Sequence, residues 1–214
     1  MSRVADLEAT GRYVTELEVA ATEQAEPLSP NALRLLLERR SDHHLGGRAP
    51  DDAELDLMIQ AALQVPDYHY LRPYRFVVIE GVARERFGAM MQEAARWQGQ
   101  SEAVIARAAR MPLRAPMLIV AIFSPKQSER VVQMDQFLCA GSTVLALQLA
   151  ASALGFGSIW RSGWPMYNRK LAEQLGLDEQ ESVVGFLYVG QVSKDVPSAR
   201  PALASSAVMS RLDV

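Results

Sequence analysis

The stretch Gly155-Phe156-Gly157-Ser158-Ile159-Trp160-Arg161-Ser162-Gly163 follows directly on the run Gln133 to Leu154, and the junction between them decides the fold class. The run is almost wholly apolar or small, which marks a helix with no solvated face, buried in the core or by a partner chain. Beyond Gly155 the pattern changes, and Gly157 to Arg161 reads as a strand. The glycines remove the side-chain barrier, so the backbone here can come close to something flat or charged. The spacing G-x-G-x-x-G is absent, as is the Lys-Ser/Thr ending of a phosphate loop. Any nicotinamide therefore binds transiently and not in a Rossmann crevice.

Working outward, Ser182 to Gly190, Met117 to Phe123 (bounded by Pro116 and Pro125) and Arg75 to Glu80 read as further strands. Helices are predicted from Pro30 to about Arg40, with Ser29 as N-cap and Leu33, Leu36 and Leu37 as a buried stripe. Others open at Pro50-Asp51-Asp52, span residues 82–111 with a break near Gly99, and cover Asn168 to Leu175. Helices alternating with strands give an α/β or α+β sandwich. Residues 1–28 are acidic and alanine-rich, an N-terminal extension that is helical or partly ordered. Residues 29–214 make a single domain, since 214 residues suit one core and not two ordinary domains.

Composition narrows the function. A net charge of -3 lacks the basic excess that displaces counterions from phosphates, so nucleic acid is not an expected partner. The single cysteine, Cys139, cannot form an intramolecular disulfide, and no secretory signal pattern is visible, which points to a cytoplasmic setting. The longest apolar runs, such as Ala115 to Phe123 and Val144 to Ala151, fall short of the ~20 residues that cross a bilayer, so no membrane span is expected.

Three segments could carry chemistry. Glu38-Arg39-Arg40-Ser41 gathers two permanent cations and a hydroxyl at a helix end, which suits an anionic ligand, but basic residues also simply complement a helix dipole there. Val65-Pro66-Asp67-Tyr68-His69-Tyr70-Leu71-Arg72-Pro73-Tyr74-Arg75-Phe76 is an aromatic and basic loop that could line a flat-ring pocket or could turn its tyrosines to the core. Gly155 to Gly163 is the third. His43 and His44 lack the companion ligands of a metal site, so none is expected. No serine has the G-x-S-x-G setting of a hydrolase nucleophile.

In this order the segments resemble the nitroreductase family, in particular its small YdjA-like branch. Arg39-Arg40-Ser41 is similar to the family's opening flavin motif, Pro66-Asp67 to Pro73 to its second loop, Gly155 to Gly163 to its "GFGxIWRSG" segment and Val184 to Gly190 to its last core strand, the likeness spanning about residues 30–201. The resemblance implies an α+β sandwich with a central, mostly antiparallel sheet flanked by helices. It also implies an interlocked homodimer with FMN at the subunit interface and a C-terminal segment, about 191–214, packing on the partner.

By the same resemblance Arg39 and Ser41 belong to the phosphate and ribityl end, Arg40 lies nearer the ring, and Trp160, Arg161 and Ser162 run alongside it. Gln64, Tyr68, His69, Arg72 and Pro73 supply the second loop's contacts, and Arg200 closes on the phosphate. No side-chain nucleophile is then expected, because the cofactor carries the redox chemistry. Three departures stand out: Asp67-Tyr68-His69-Tyr70 replaces the branch's usual Asp-His-Gly-Arg or Asp-His-Lys, Tyr74 replaces the usual tryptophan after the second proline, and Gln64 stands where a basic residue can occur. The implied activity is hydride transfer from NADH or NADPH through FMN to a small nitroaromatic, quinone or enone. The alternatives are a flavin-binding protein with little turnover and a flavin-fragmenting enzyme.

Overall fold

The computed structural model describes residues 30–194 and 203–212. The chain divides into two compact units, Met1–Glu38 and Arg39–Val214. The described part of the first is helix α1 (Pro30–Glu38). The second contains β1 (Leu45–Gly46), α2 (Asp52–Ala62), β2 (Tyr74–Glu80), α3 (Ala83–Trp97), α4 (Glu102–Ala108), β3 (Met117–Phe123), α5 (Gln133–Ala153), β4 (Gly157–Arg161), α6 (Arg169–Gln174) and β5 (Ser182–Val192). Expectations for residues 1–28, for Ser29 as N-cap, for Arg200 and for most of the C-terminal segment lie outside the described residues.

β5 is the axis. It pairs antiparallel with β3, from Met117↔Val189 to Phe123↔Ser182, and with β4, from Gly157↔Gly190 to Arg161↔Phe186. Both partners claim residues 186–189, so they flank β5 on opposite edges. β2 continues the sheet beyond β3, and β1 pairs with Gln191 and Val192. Every pairing among the described strands is antiparallel, as expected.

Helices cover both faces, which explains why β3 and the inner part of β5 are apolar runs and not alternating patterns. On one face Leu118, Val120, Ile122, Phe186 and Tyr188 pack with Phe87 and Met91 of α3, Ile105 of α4 and Leu171 of α6. On the other, Met117, Ile119, Ala121, Leu187 and Val189 pack with Met58 and Ala62 of α2 and Ala140, Val144 and Leu147 of α5. α2 starts at a capping box: Asp51 accepts from the Glu54 N–H, and the Glu54 carboxylate accepts from the Asp51 N–H.

One expectation needs correction, and two features were not read from the sequence. Leu33, Leu36 and Leu37 are exposed and not buried, although α1 has the amphipathic pattern. β1 escaped the sequence because two residues cannot show a period. α5 does reach membrane-spanning length, since polar residues widen the 21-residue helix beyond the uninterrupted apolar run, with a mean hydropathy of 1.3. It is the core helix on the α2 side of the sheet, and its buried positions recur at helical spacing from Gln136 to Ala151.

Behind the sheet end, Arg75 makes a two-pronged bond to the buried Glu181, Nε to Oε1 at 2.7 Å and Nη2 to Oε2 at 2.6 Å. These bonds first, aided by Ser124 and Asp178, hold the Glu181 carboxyl at about 2, against its ordinary 4.5. A depressed carboxylate adds stability that is present above the ordinary value and is lost as pH falls through the folded one. Stability should therefore decline from pH 4.5 toward 2. In urea titrations across that window Glu181→Gln should flatten part of the decline, leaving the share of Glu54, which Arg48 also holds at about 2. At neutral pH the substitution should cost about 1 to 3 kcal/mol, the loss of a buried charge-assisted pair.

Candidate functional site

On the α5 side of the sheet lies a trench of about 760 Å³. One wall is a stripe of α5 at helical spacing, Leu138, Gly141, Ser142, Leu145 and Gln148. Arg39 and Ser41 close one part, Trp160 and Val184 come from the sheet, and Ser162, Met166 and Tyr167 from the turn after β4.

Two irregularities of β5 shape the sheet side. The β3 register shifts between Ala121, opposite Gly185, and Ile122, opposite Val183, so Val184 is an extra, bulged residue. It is the β5 residue that lines the trench. At Gly185 a Cβ would overlap the indole Nε1 of Trp160, so the absence of a side chain is what lets the tryptophan lie against the strand.

Residues 39–42 reach the trench by running beside β4: the Asp42 N–H donates to the Ser158 carbonyl at 3.0 Å, and Arg40 Nε donates to Asp42 Oδ1 at 3.0 Å. Ser41 thus faces the trench, while Arg40 is held by its neighbour. Gln148, almost wholly buried on α5, lines the same trench with an Nε2 amide that has no partner among the described residues. A buried donor left unpaired costs about 1 to 3 kcal/mol, so it points to a ligand that accepts from it. Gln148 was not among the residues expected from sequence; its signal was an amide within the apolar run Val144 to Ala151.

The structure separates the other expected residues. Trp160 and Ser162 line the trench, but Arg161, between them in sequence, does not. As adjacent strand residues alternate faces, its guanidinium lies on the other side, 6.0 Å from the Tyr188 ring centre, with Nη2 3.4 Å from His43 Nδ1. The second loop forms a smaller chamber of about 370 Å³ with Pro66, Asp67 and Tyr68, which shares Leu138 and Ser142 with the trench. Gln64, His69 and Arg72 are exposed and line neither cavity, and Pro73 is buried at the start of β2.

Asp67 organises that loop. It accepts from the N–H groups of Leu71 at 3.2 Å and Arg72 at 2.7 Å while His69, Tyr70 and Arg72 adopt φ of 64°, 52° and 50°. Left-handed non-glycine residues are costly, and a cluster of three persists only where other bonds over-determine the backbone. The loop reaches α5 through Cys139: burial first, then the Asp67 charge and hydrogen bond, push its thiol up to about 11. Cys139 is therefore a protonated donor to Asp67 and no nucleophile. Of the loop tyrosines, Tyr68 and Tyr70 are exposed and Tyr74 packs against the α2-side core.

The nitroreductase family model matches residues 36–191, so the chain belongs to the nitroreductase family. The chain is 37% identical over 177 residues to YdjA of Escherichia coli, named as an NAD(P)H nitroreductase, covering 80% of this chain and 97% of that one. It is 33% identical to a similarly named Haemophilus influenzae protein, covering 75% and 88%. Among solved structures, a nitroreductase-like protein of Bacillus cereus superposes with a TM-score of 0.74 at 21% identity, covering 88% and 99%. One from Desulfovibrio desulfuricans, solved in complex with FMN, gives 0.64 at 21%, covering 89% and 100%. These confirm the fold.

The site makes a direct demand on Gly185. Gly185→Ala should displace Trp160 from the strand, seen as a shift in indole fluorescence, and the double variant Gly185→Ala/Trp160→Leu should recover the stability that Gly185→Ala loses, because the clash is with the ring. A gap of about 1 to 3 kcal/mol between the two is the scale of overpacking.

Proposed function

We propose that this chain is an FMN-dependent oxidoreductase that takes hydride from NADH or NADPH and delivers it to a small electrophile such as a nitroaromatic, quinone or enone. The observation that carries the reading is the buried Gln148 amide, without a partner among the described residues, in a trench that also holds Ser41, Arg39 and Trp160, in a chain of the nitroreductase family. Bound FMN would supply a ring that accepts and releases hydride. The donor set suits it. Arg39 and Ser41 would take the phosphate and ribityl end through charge-assisted and hydroxyl hydrogen bonds. Gln148 would donate to a polar edge, Trp160 would give a flat contact surface, and the apolar α5 stripe would exclude water from that side. Arg40, steadied by Asp42, would set the local positive potential.

The purified protein should carry flavin absorbance, as isolated or after addition of FMN, and anaerobic NADH or NADPH should bleach it over repeated cycles with a quinone. Flavin that binds but stays oxidised would leave a binding protein only, and no uptake of FMN would sink both readings. Gln148→Leu should weaken FMN retention about tenfold, the scale of one hydrogen bond to a ligand.

We further propose a homodimer closed over this face. Met134, Phe137, Leu138 and Leu145 present an exposed apolar strip on α5 continuous with the trench, with Met134 66% and Leu138 60% exposed. Contiguous apolar surface of this kind marks an interface. Sedimentation at micromolar concentration should give a dimer, and Met134→Glu, outside the trench lining, should shift it toward monomer.

A further inference from the structure

The chamber behind the second loop differs in charge from the trench it adjoins. Leu138 and Ser142, one turn apart on α5, wall both cavities, so the two open side by side along that helix. The trench carries Arg39. Among the described residues no arginine or lysine lines the chamber, and its charged groups are the carboxylates of Asp67 and Asp135. Asp67 is held by the N–H groups of Leu71 and Arg72, neutral donors that orient it without cancelling its charge. Asp135, in the first turn of α5, makes no ion pair among the described residues.

The far wall is fixed in place. Gln136, 4% exposed, accepts from the Lys126 N–H at 2.8 Å and donates to the carbonyls of Lys126 at 3.0 Å and Val131 at 3.2 Å. Its amide is fully engaged, so it offers nothing to a ligand and instead pins Val131 against the chamber. Val131, Leu138 and Tyr68 add apolar surface to a cavity of about 370 Å³, the size of a small-molecule site. The adjoining trench independently calls for a ligand, because Gln148, also 4% exposed, lines it with an Nε2 that has no partner among the described residues.

We propose that this chamber receives the ring of the hydride acceptor, and that Asp67 and Asp135 make it select neutral or cationic acceptors over anionic ones. The inference rests on the flavin-dependent reading given above and adds a specificity to it. Charge is sorted across Leu138 and Ser142: the trench suits an anionic cofactor at Arg39, and the chamber suits a molecule of any charge but negative. An anion there would approach two carboxylates with no cation to offset them.

Equilibrium dialysis of the FMN-loaded protein against p-nitrobenzamide and p-nitrobenzoate, with no electron donor present, tests this, since the two probes differ mainly in charge. The benzoate should bind about tenfold more weakly, the scale set by two unit charges several ångströms away near a protein surface. Asp135→Asn, at an exposed position of α5, should narrow the gap to about threefold, because half the opposing charge is gone. Glu102→Gln removes the same charge from α4, on the other side of the sheet, and should leave the gap as it is. In turnover with NADH or NADPH the ratio of KM values should follow the same pattern. No binding of either probe, equal binding of both, a gap that Asp135→Asn leaves intact, or one that Glu102→Gln narrows as much would each overturn this inference. A protein that shows one of these and still loads and bleaches its flavin upholds the reading beneath it, whereas failure to take up FMN overturns both.

Discussion

Everything in the second unit depends on β5 being hydrogen-bonded along both edges and covered on both faces. Residues from Val183 to Gly190 are buried without a break, so their backbone groups need partners, which β3 and β4 supply for all but the bulged Val184. That requirement fixes where β4 lies and hence where Trp160 and Arg161 emerge. It also ties the two cores together, since Phe186 and Tyr188 serve one and Leu187 and Val189 the other.

The demand for satisfied polar groups sorts the sites as well. Most buried polar atoms have partners: Gln136 bonds to Lys126 and Val131, and Asn168 to Leu171, Ala94 and Gln98. Against that background Gln148 Nε2, Arg161 Nε, Trp164 Nε1 and Gln174 Oε1 have no partner among the described residues, and the first two fall on opposite faces of the sheet. The trench is mostly apolar with one buried amide. The other face is the α3-side core, at whose margin the Arg161 guanidinium lies beside Tyr188.

Much of the architecture was legible in the chain. The apolar runs of β3 and β5, the capping signal at Asp51 and the break near Gly99 are local features with local causes, and each element appears where its pattern lies. Arg39, Ser41, Trp160 and Ser162 were also legible as members of one site. What was not legible depends on register or on distant contact. The bulge at Val184 and the approach of Trp160 to Gly185 exist only once two strands are paired. The direction of Arg161 follows from strand alternation, but which face holds the trench follows from where α5 packs. Leu33, Leu36 and Leu37 show the reverse case, an apolar stripe whose spacing reads as buried but which is exposed.

The alternation at the end of β4 has an evolutionary consequence. One residue inserted or removed within this strand would exchange the faces of Trp160 and Arg161, driving a cation toward the trench and an indole toward Tyr188. Such a length change would disable both faces at once, so β4 admits substitution but not insertion. The turn residues Gly176 to Gln180, outside any strand, can change length without moving either face. Diversification of this chain by length is therefore channelled into its loops, while the spacing from Gly157 to Gly163 behaves as a fixed ruler.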